Sequence, residues 1–143
     1  MASSTYIPSS VRKFVAERAK FCCEYCRLQQ DLCPDTFEVD HIIPQTLEGK
    51  TEPHNLCYSC PNCNNAKRSQ ITARDPQTGR HVQLFDPRRH IWRRHFRWSI
   101  NNGRLLGKTP IGRATIEALD MNRPRIVRIR LLWAAVGLHL PRR

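Results

Sequence analysis

Two sets of side chains in the first half of the chain have the types and spacing for metal chemistry. Cys23 and Cys26, then Cys60 and Cys63, form two Cys-x-x-Cys pairs. Thiolates suit tetrahedral zinc, and the x-x spacing lets two sulfurs of one turn face one ion. A site closed by four thiolates has no open position for catalysis, so such a zinc is structural. Between and beside the pairs stand Asp40-His41, Asn55-Leu56 and Asn64. An Asp-His pair and two spaced asparagines, framed by the cysteines, point to metal-dependent nuclease chemistry on a zinc-held scaffold. Spacing leaves the second pair open, because Cys57-x-x-Cys60 is as good as Cys60-x-x-Cys63. The second choice places Cys63 against a helix that starts at Asn64 and leaves Cys22, Cys33 and Cys57 as spare thiols.

Several elements must position these groups. Ser9 or Ser10 can cap a helix with Val11, Phe14 and Val15 on one face, after a loose tail over residues 1–8. Phe37–Ile42 alternates and is rich in β-branched residues, which predicts a strand carrying Asp40 and His41, ended by Pro44. Thr46–Pro53 reads as loop, Asn55–Tyr58 as the start of a short helix, and Asn64–Ser69 as a helix. Further on, Asp75–Gly79 and Asp86-Pro87 read as turns. His95–Ile100 and Arg104–Gly107 read as a hairpin around Asn101-Asn102-Gly103. Thr109-Pro110 is an N-cap followed by proline at the first helical position, with Ile111, Ala114, Ala118 and Leu119 on one face. A last helix over 125–136 places Ile126, Ile129, Trp133 and Val136 in a stripe, with Arg125, Arg128 and Arg130 mostly off it.

Charge divides the chain sharply. The net charge is +12, from 24 Lys+Arg against 12 Asp+Glu. Residues 1–70 are balanced at 8 basic and 8 acidic, so residues 71–143, with 16 basic and 4 acidic, hold the whole excess. Fifteen of those 16 are arginine, which forks onto phosphate and keeps its charge at any working pH. A nucleic-acid partner follows. Arg88, Arg89, Arg93, Arg94 and Arg97 are the candidate contacts, interleaved with Trp92, Phe96 and Trp98, which read better as core. Two regions are expected: a small catalytic module over 1–70 and a basic extension over 71–143. A module that small needs a staple, since below about 80 residues a hydrophobic core alone rarely suffices. Seven cysteines, an odd count, and a start of Met-Ala-Ser-Ser-Thr-Tyr without a secretory pattern favour zinc over disulfides. The longest apolar run, Leu131–Leu140, is interrupted and far short of a membrane span. A soluble, cytoplasmic protein is expected, with no membrane partner.

The run Glu-Val-Asp-His-Ile-Ile-Pro, then His-Asn-Leu, then Cys-Pro-Asn-Cys-Asn-Asn-Ala-Lys resembles the HNH endonuclease family over about residues 20–70. The resemblance implies a ββα-metal finger, in which two antiparallel strands and a helix surround one divalent ion. The overall expectation is an α+β chain: a ββα-metal module stapled by Zn²⁺, with a C-terminal β-hairpin and two-helix extension. By this resemblance His41 is the general base, Asp40 and Asn64 hold Mg²⁺ or Mn²⁺, and Asn55 braces the loop that orients His41. Asn64 stands where the family name has its second histidine, a change toward oxygen-loving ions. Lys67 and Arg68, just after that ligand, are expected at phosphate. The stretch from Leu84 through Leu119 looks like a tail on some standalone bacterial members, so a bacterial or phage-type protein cutting double-stranded DNA is the implied reading. The competing reading is a non-catalytic zinc module that only binds nucleic acid. It shares the zinc and the arginines but has no need of Asp40, His41 and Asn64 together.

Overall fold

The computed structural model describes residues 6–139. Most of the tail expected over residues 1–8 therefore lies outside the described residues. Short helices alternate with two-stranded antiparallel sheets, an α+β fold. Contacts divide the chain into two compact units. One holds the chain up to Ile71 together with Asp86–Arg89, and the other holds Thr72–Phe85 and everything from His90 onward. No helix among the described residues is long and apolar enough to cross a membrane.

The first unit opens with α1 (Ser9–Arg18), which buries Val15 and Ala16. Pro8 occupies the N-cap and contributes no side-chain bond, so Ser9 and Ser10 lie inside the helix rather than capping it. Phe14 is half exposed, and the buried face is turned toward Val15, Ala16 and Ala19 instead. Strand β1 (Glu38–His41) pairs with β2 (Leu56–Ser59), placing Asp40 opposite Cys57 and His41 opposite Leu56. The expected helix at Asn55–Tyr58 is thus a strand, preceded by a single 3₁₀ turn at Pro53–Asn55. All four β2 residues are buried. A strand covered on both faces shows no alternation, so its pattern cannot be told from that of a short buried helix. Helix α2 (Pro61–Lys67) follows at once, with Cys60 as N-cap, its sulfur accepting the Cys63 N–H at 3.4 Å, and Pro61 in the first turn.

The second unit starts with a hairpin that the sequence pattern hides. β3 (Thr72–Arg74) pairs with β4 (His81–Gln83). The Asp75 carboxylate turns the chain between them, accepting from the Gln77 N–H at 3.1 Å and from the Thr78 hydroxyl at 2.7 Å, and Gly79 takes the positive φ of 79°. A helical turn, α3 (Trp92–His95), precedes β5 (Phe96–Trp98), which pairs with β6 (Leu105–Gly107) around the Asn101–Gly103 turn. α4 (Pro110–Ala118) begins as expected: the Thr109 hydroxyl accepts the Gly112 N–H at 3.0 Å. α5 (Pro124–Ala135) closes the unit. Its buried stripe runs through Ile126 and Arg130, not through Val136, which is exposed. The Arg130 side chain is drawn inward because it donates to the Gly103 carbonyl and the Asn122 amide and lies over the Trp98 ring at 5.3 Å. Trp92 packs on Phe96 and Trp98 at 5.1 and 6.0 Å between centroids; Phe96 is core, as expected, whereas both tryptophans are only half-buried.

Asp75 also anchors α4. Arg113 grips its carboxylate in two-point geometry at 2.9 and 3.0 Å. Arg113, then Thr78, holds the Asp75 carboxyl well below the usual carboxylate range, against the opposing effect of burial. A folded-state pKa below the unfolded one, about 3.9, adds stability that is complete above the unfolded value and is lost progressively as pH falls from there through the folded one. The second unit is therefore expected to lose stability below about pH 4, and Asp75→Asn to flatten that acid limb while lowering the neutral melting midpoint by at least about 4 °C. All of the chain's tryptophans, Trp92, Trp98 and Trp133, lie in this unit, so fluorescence melts from pH 2 to 7 read it directly. An unchanged acid limb in the variant would refute the assignment.

Candidate active site

The cysteine frame is built from a knuckle and a helix start. In the knuckle, Cys23 N–H donates to the Leu28 carbonyl at 2.8 Å and Arg27 N–H to the Cys23 carbonyl at 2.9 Å, with Arg27 at a positive φ of 66°. Cys60 and Cys63 come from the cap and first turn of α2. All four sulfurs are buried and lie within 4.8 Å of one another, positioned to bind a metal. The Cys26–Cys60 sulfur separation is 3.8 Å, which is the edge of a tetrahedron with bonds of about 2.3 Å. Without a cation, the crowding of Cys60 against the sulfurs of Cys23 and Cys26, and then burial, pushes its thiol far up. A divalent ion removes that penalty, so the donor set fits a closed thiolate centre.

Of the two registers, this geometry brings Cys60 and Cys63 together with the first pair. Cys57 is outside the cluster; its buried thiol contacts the Tyr25 hydroxyl at 3.6 Å. Cys22 and Cys33 donate to the carbonyls of Lys20 and Gln29.

Two strand residues and the loop after them form the second centre. Asp40 and His41 line a cleft of about 170 Å³ with Gln45, Thr46 and Arg68. His41 Nε2 lies 2.8 Å from the Thr51 hydroxyl. Burial lowers the His41 pKa, partly opposed by the Asp40 charge, so its imidazole is neutral at neutral pH. Burial raises the Asp40 pKa, and Lys67 opposes that shift. Asp40 Oδ2 is a buried oxygen without a hydrogen bond of good geometry; its ion-pair partner, Lys67 Nζ, stands 3.4 Å away. An under-coordinated buried carboxylate oxygen of this kind fits a hard divalent cation. Asn64, on α2, donates its side-chain N–H to Glu38, two residues before Asp40 on the same face of β1. That leaves the amide oxygen of Asn64 as its acceptor atom.

Asn55 ties the intervening loop. Its amide oxygen accepts the Ile43 N–H at 2.9 Å, and its nitrogen donates to the carbonyls of Ile43 and Lys50 at 3.0 and 2.9 Å. Gly49 is required in the same loop: a Cβ there would sit 1.7 Å from the Ile43 carbonyl oxygen.

Two basic side chains expected at phosphate are turned inward. Lys67 is buried, held by Asp40 and by the His41 carbonyl at 3.1 Å. Arg88 donates to the buried carboxylate of Glu24, which also accepts the Tyr58 N–H at 2.8 Å. Burial raises the Glu24 pKa, and the Tyr58 N–H and Arg88 counter it. A buried acid in a small unit calls for a cation, and these two arginine and lysine side chains serve that need first. By contrast, Arg68, Arg89, Arg93, Arg94 and Arg97 are exposed, with Arg68 and Arg89 in the first unit and Arg93, Arg94 and Arg97 in the second. His54 is an exposed loop residue paired with Glu52 at 3.1 Å. Glu24 and Thr51 went unmarked in the sequence because neither sits in a recognisable spacing, and Glu38 stood in the Glu-Val-Asp-His run without a role.

Comparison with curated proteins and with solved structures returned no match. Residues 23–70 do match the family model for HNH endonuclease. The strand pair and helix that carry Asp40, His41 and Asn64, with the turn that carries Asn55 and the four converging cysteines, lie within that match, so residues 23–70 are an HNH endonuclease domain.

Proposed function

We propose that the chain is a metal-dependent endonuclease that hydrolyses phosphodiester bonds in double-stranded DNA, with His41 as general base. One observation carries this reading: adjacent residues that line one cleft carry a neutral, half-buried imidazole and a carboxylate with a buried, under-coordinated oxygen. A module that only bound nucleic acid would gain nothing from desolvating either group. Neutral imidazole takes a proton from water as the water oxygen attacks phosphorus and the bond to the leaving 3′-oxygen breaks. Asp40 and Asn64 would hold Mg²⁺ or Mn²⁺, which when bound supplies positive charge at the scissile phosphate and the leaving oxygen. Asn55 keeps the loop behind His41 in register, and Arg68 lines the cleft where a phosphate oxygen would lie. The four cysteines hold a structural Zn²⁺.

The balanced charge of residues 1–70 and the arginine excess of 71–143 support a division of labour. The exposed Arg93, Arg94 and Arg97, with Arg89, supply the backbone grip, which is independent of base sequence. Incubation of supercoiled plasmid with the full chain tests the reading. Nicked product is expected with Mg²⁺ or Mn²⁺ and none with EDTA. Salt-sensitive plasmid binding without nicking in any divalent ion would leave the binding-module reading standing instead.

A further inference from the structure

We infer that Thr51 is a positioning residue for His41, holding one ring nitrogen so that the other faces the attacking water. The inference rests on the general-base reading above. The Thr51 hydroxyl lies 2.8 Å from His41 Nε2, ten residues along the chain. Which nitrogen of an imidazole carries the proton is set by the bond that the other nitrogen makes. With Nε2–H donating to the Thr51 hydroxyl oxygen, Nδ1 is the unprotonated position, open to a water proton.

Thr51 can do this because its backbone is pinned. The Asn55 side chain holds the carbonyl of Lys50, the residue immediately before Thr51, at 2.9 Å. The Asn55 N–H donates to the Glu52 carbonyl, the residue immediately after, at 2.8 Å. Asn55 also fixes the strand end that carries His41, since its own carbonyl accepts the Ile42 N–H at 2.9 Å. One asparagine thus clamps both ends of the His41–Thr51 contact. Its influence on the imidazole passes through the Thr51 hydroxyl. Gly49 lets the loop pass close enough to Ile43 for this to happen.

The test compares Thr51→Val, which keeps the shape and removes the hydroxyl, with Thr51→Ser, which keeps the hydroxyl. Single-turnover plasmid nicking in saturating Mn²⁺ is expected to slow at least about tenfold in Thr51→Val, with DNA affinity and melting midpoint unchanged, and to be largely recovered in Thr51→Ser. A second readout needs no activity. Long-range ¹H–¹⁵N spectra of the His41 ring are expected to show one tautomer in the wild type and in Thr51→Ser, and a mixture in Thr51→Val. Equal rates in Thr51→Val and wild type, or equal losses in both variants, would overturn the inference. His41→Ala, run alongside, separates the two layers. If it cleaves normally, the general-base reading fails. If it is inactive while Thr51→Val is unimpaired, only the role of Thr51 fails.

Discussion

Replacing His41 with alanine is expected to lower metal-dependent nicking by about 10²- to 10⁴-fold while leaving DNA affinity within a factor of about two. The size of the loss follows from what the imidazole does. Water at neutral pH is a poor nucleophile toward a phosphodiester, and a positioned base removes its proton as the bond to phosphorus forms. Burial keeps this imidazole unprotonated, and the Asp40 charge works against that shift without reversing it in the folded domain. The unchanged affinity follows from where the charge lies. The first 70 residues carry no net charge, and Arg93, Arg94 and Arg97, the exposed arginines proposed to grip the backbone, stand elsewhere in the chain. Anisotropy of a labelled duplex reads binding, and gel conversion of supercoiled plasmid reads cleavage, on the same preparation. A His41→Ala chain that nicks at the wild-type rate would remove His41 from the mechanism. One that loses binding and cleavage together would give it a structural role instead.

The cysteine frame was legible in the sequence because its information is local. Each x-x spacing fits one turn, although the helix expected from Asn64 already starts at Pro61. Thr109-Pro110 and Asn101-Asn102-Gly103 were legible for the same reason: one residue's preference fixes one turn. Strand β2 was not, since burial of Leu56, Cys57, Tyr58 and Ser59 on both faces erases the period of two. The β3–β4 hairpin was hidden because each strand is only three residues long. What surrounds the Asp-His pair was least legible. Lys67 meets Asp40 across 27 positions, and Arg88 meets Glu24 across 64. Both cations looked like ligands for phosphate because a basic side chain does not reveal, from its neighbours, whether a buried acid needs it. Arg130 makes the same point in the second unit. Helical spacing placed it off the apolar stripe, whereas the carbonyl of Gly103 and the face of Trp98 draw it in.

Removal of zinc is expected to unfold the first unit outright, and this sets the second large effect. Apparent zinc-binding energies of about 10–16 kcal/mol match or exceed the roughly 5–15 kcal/mol by which small domains are stable. The Glu24–Tyr58 contacts that join the Cys23–Cys26 knuckle to β2 bury an acid at some cost. Cys63→Ser removes one sulfur from the closed set, while Cys57→Ser removes a buried thiol outside that set, in contact with Tyr25. Elemental analysis is expected to give about one zinc per chain for the wild type and for Cys57→Ser, and far less for Cys63→Ser. Far-UV circular dichroism of Cys63→Ser, or of wild type stripped with a strong zinc chelator, should show lost helix and strand signal and no cleavage. Restoring Zn²⁺ to the stripped wild type should recover the fold, whereas Mg²⁺ alone should not, because a hard oxygen-seeking ion does not replace zinc among four thiolates. A Cys63→Ser chain that retains one zinc and melts like the wild type would show that the sulfur cluster is not the staple. A loss of zinc in Cys57→Ser would put the register at Cys57 and Cys60 after all.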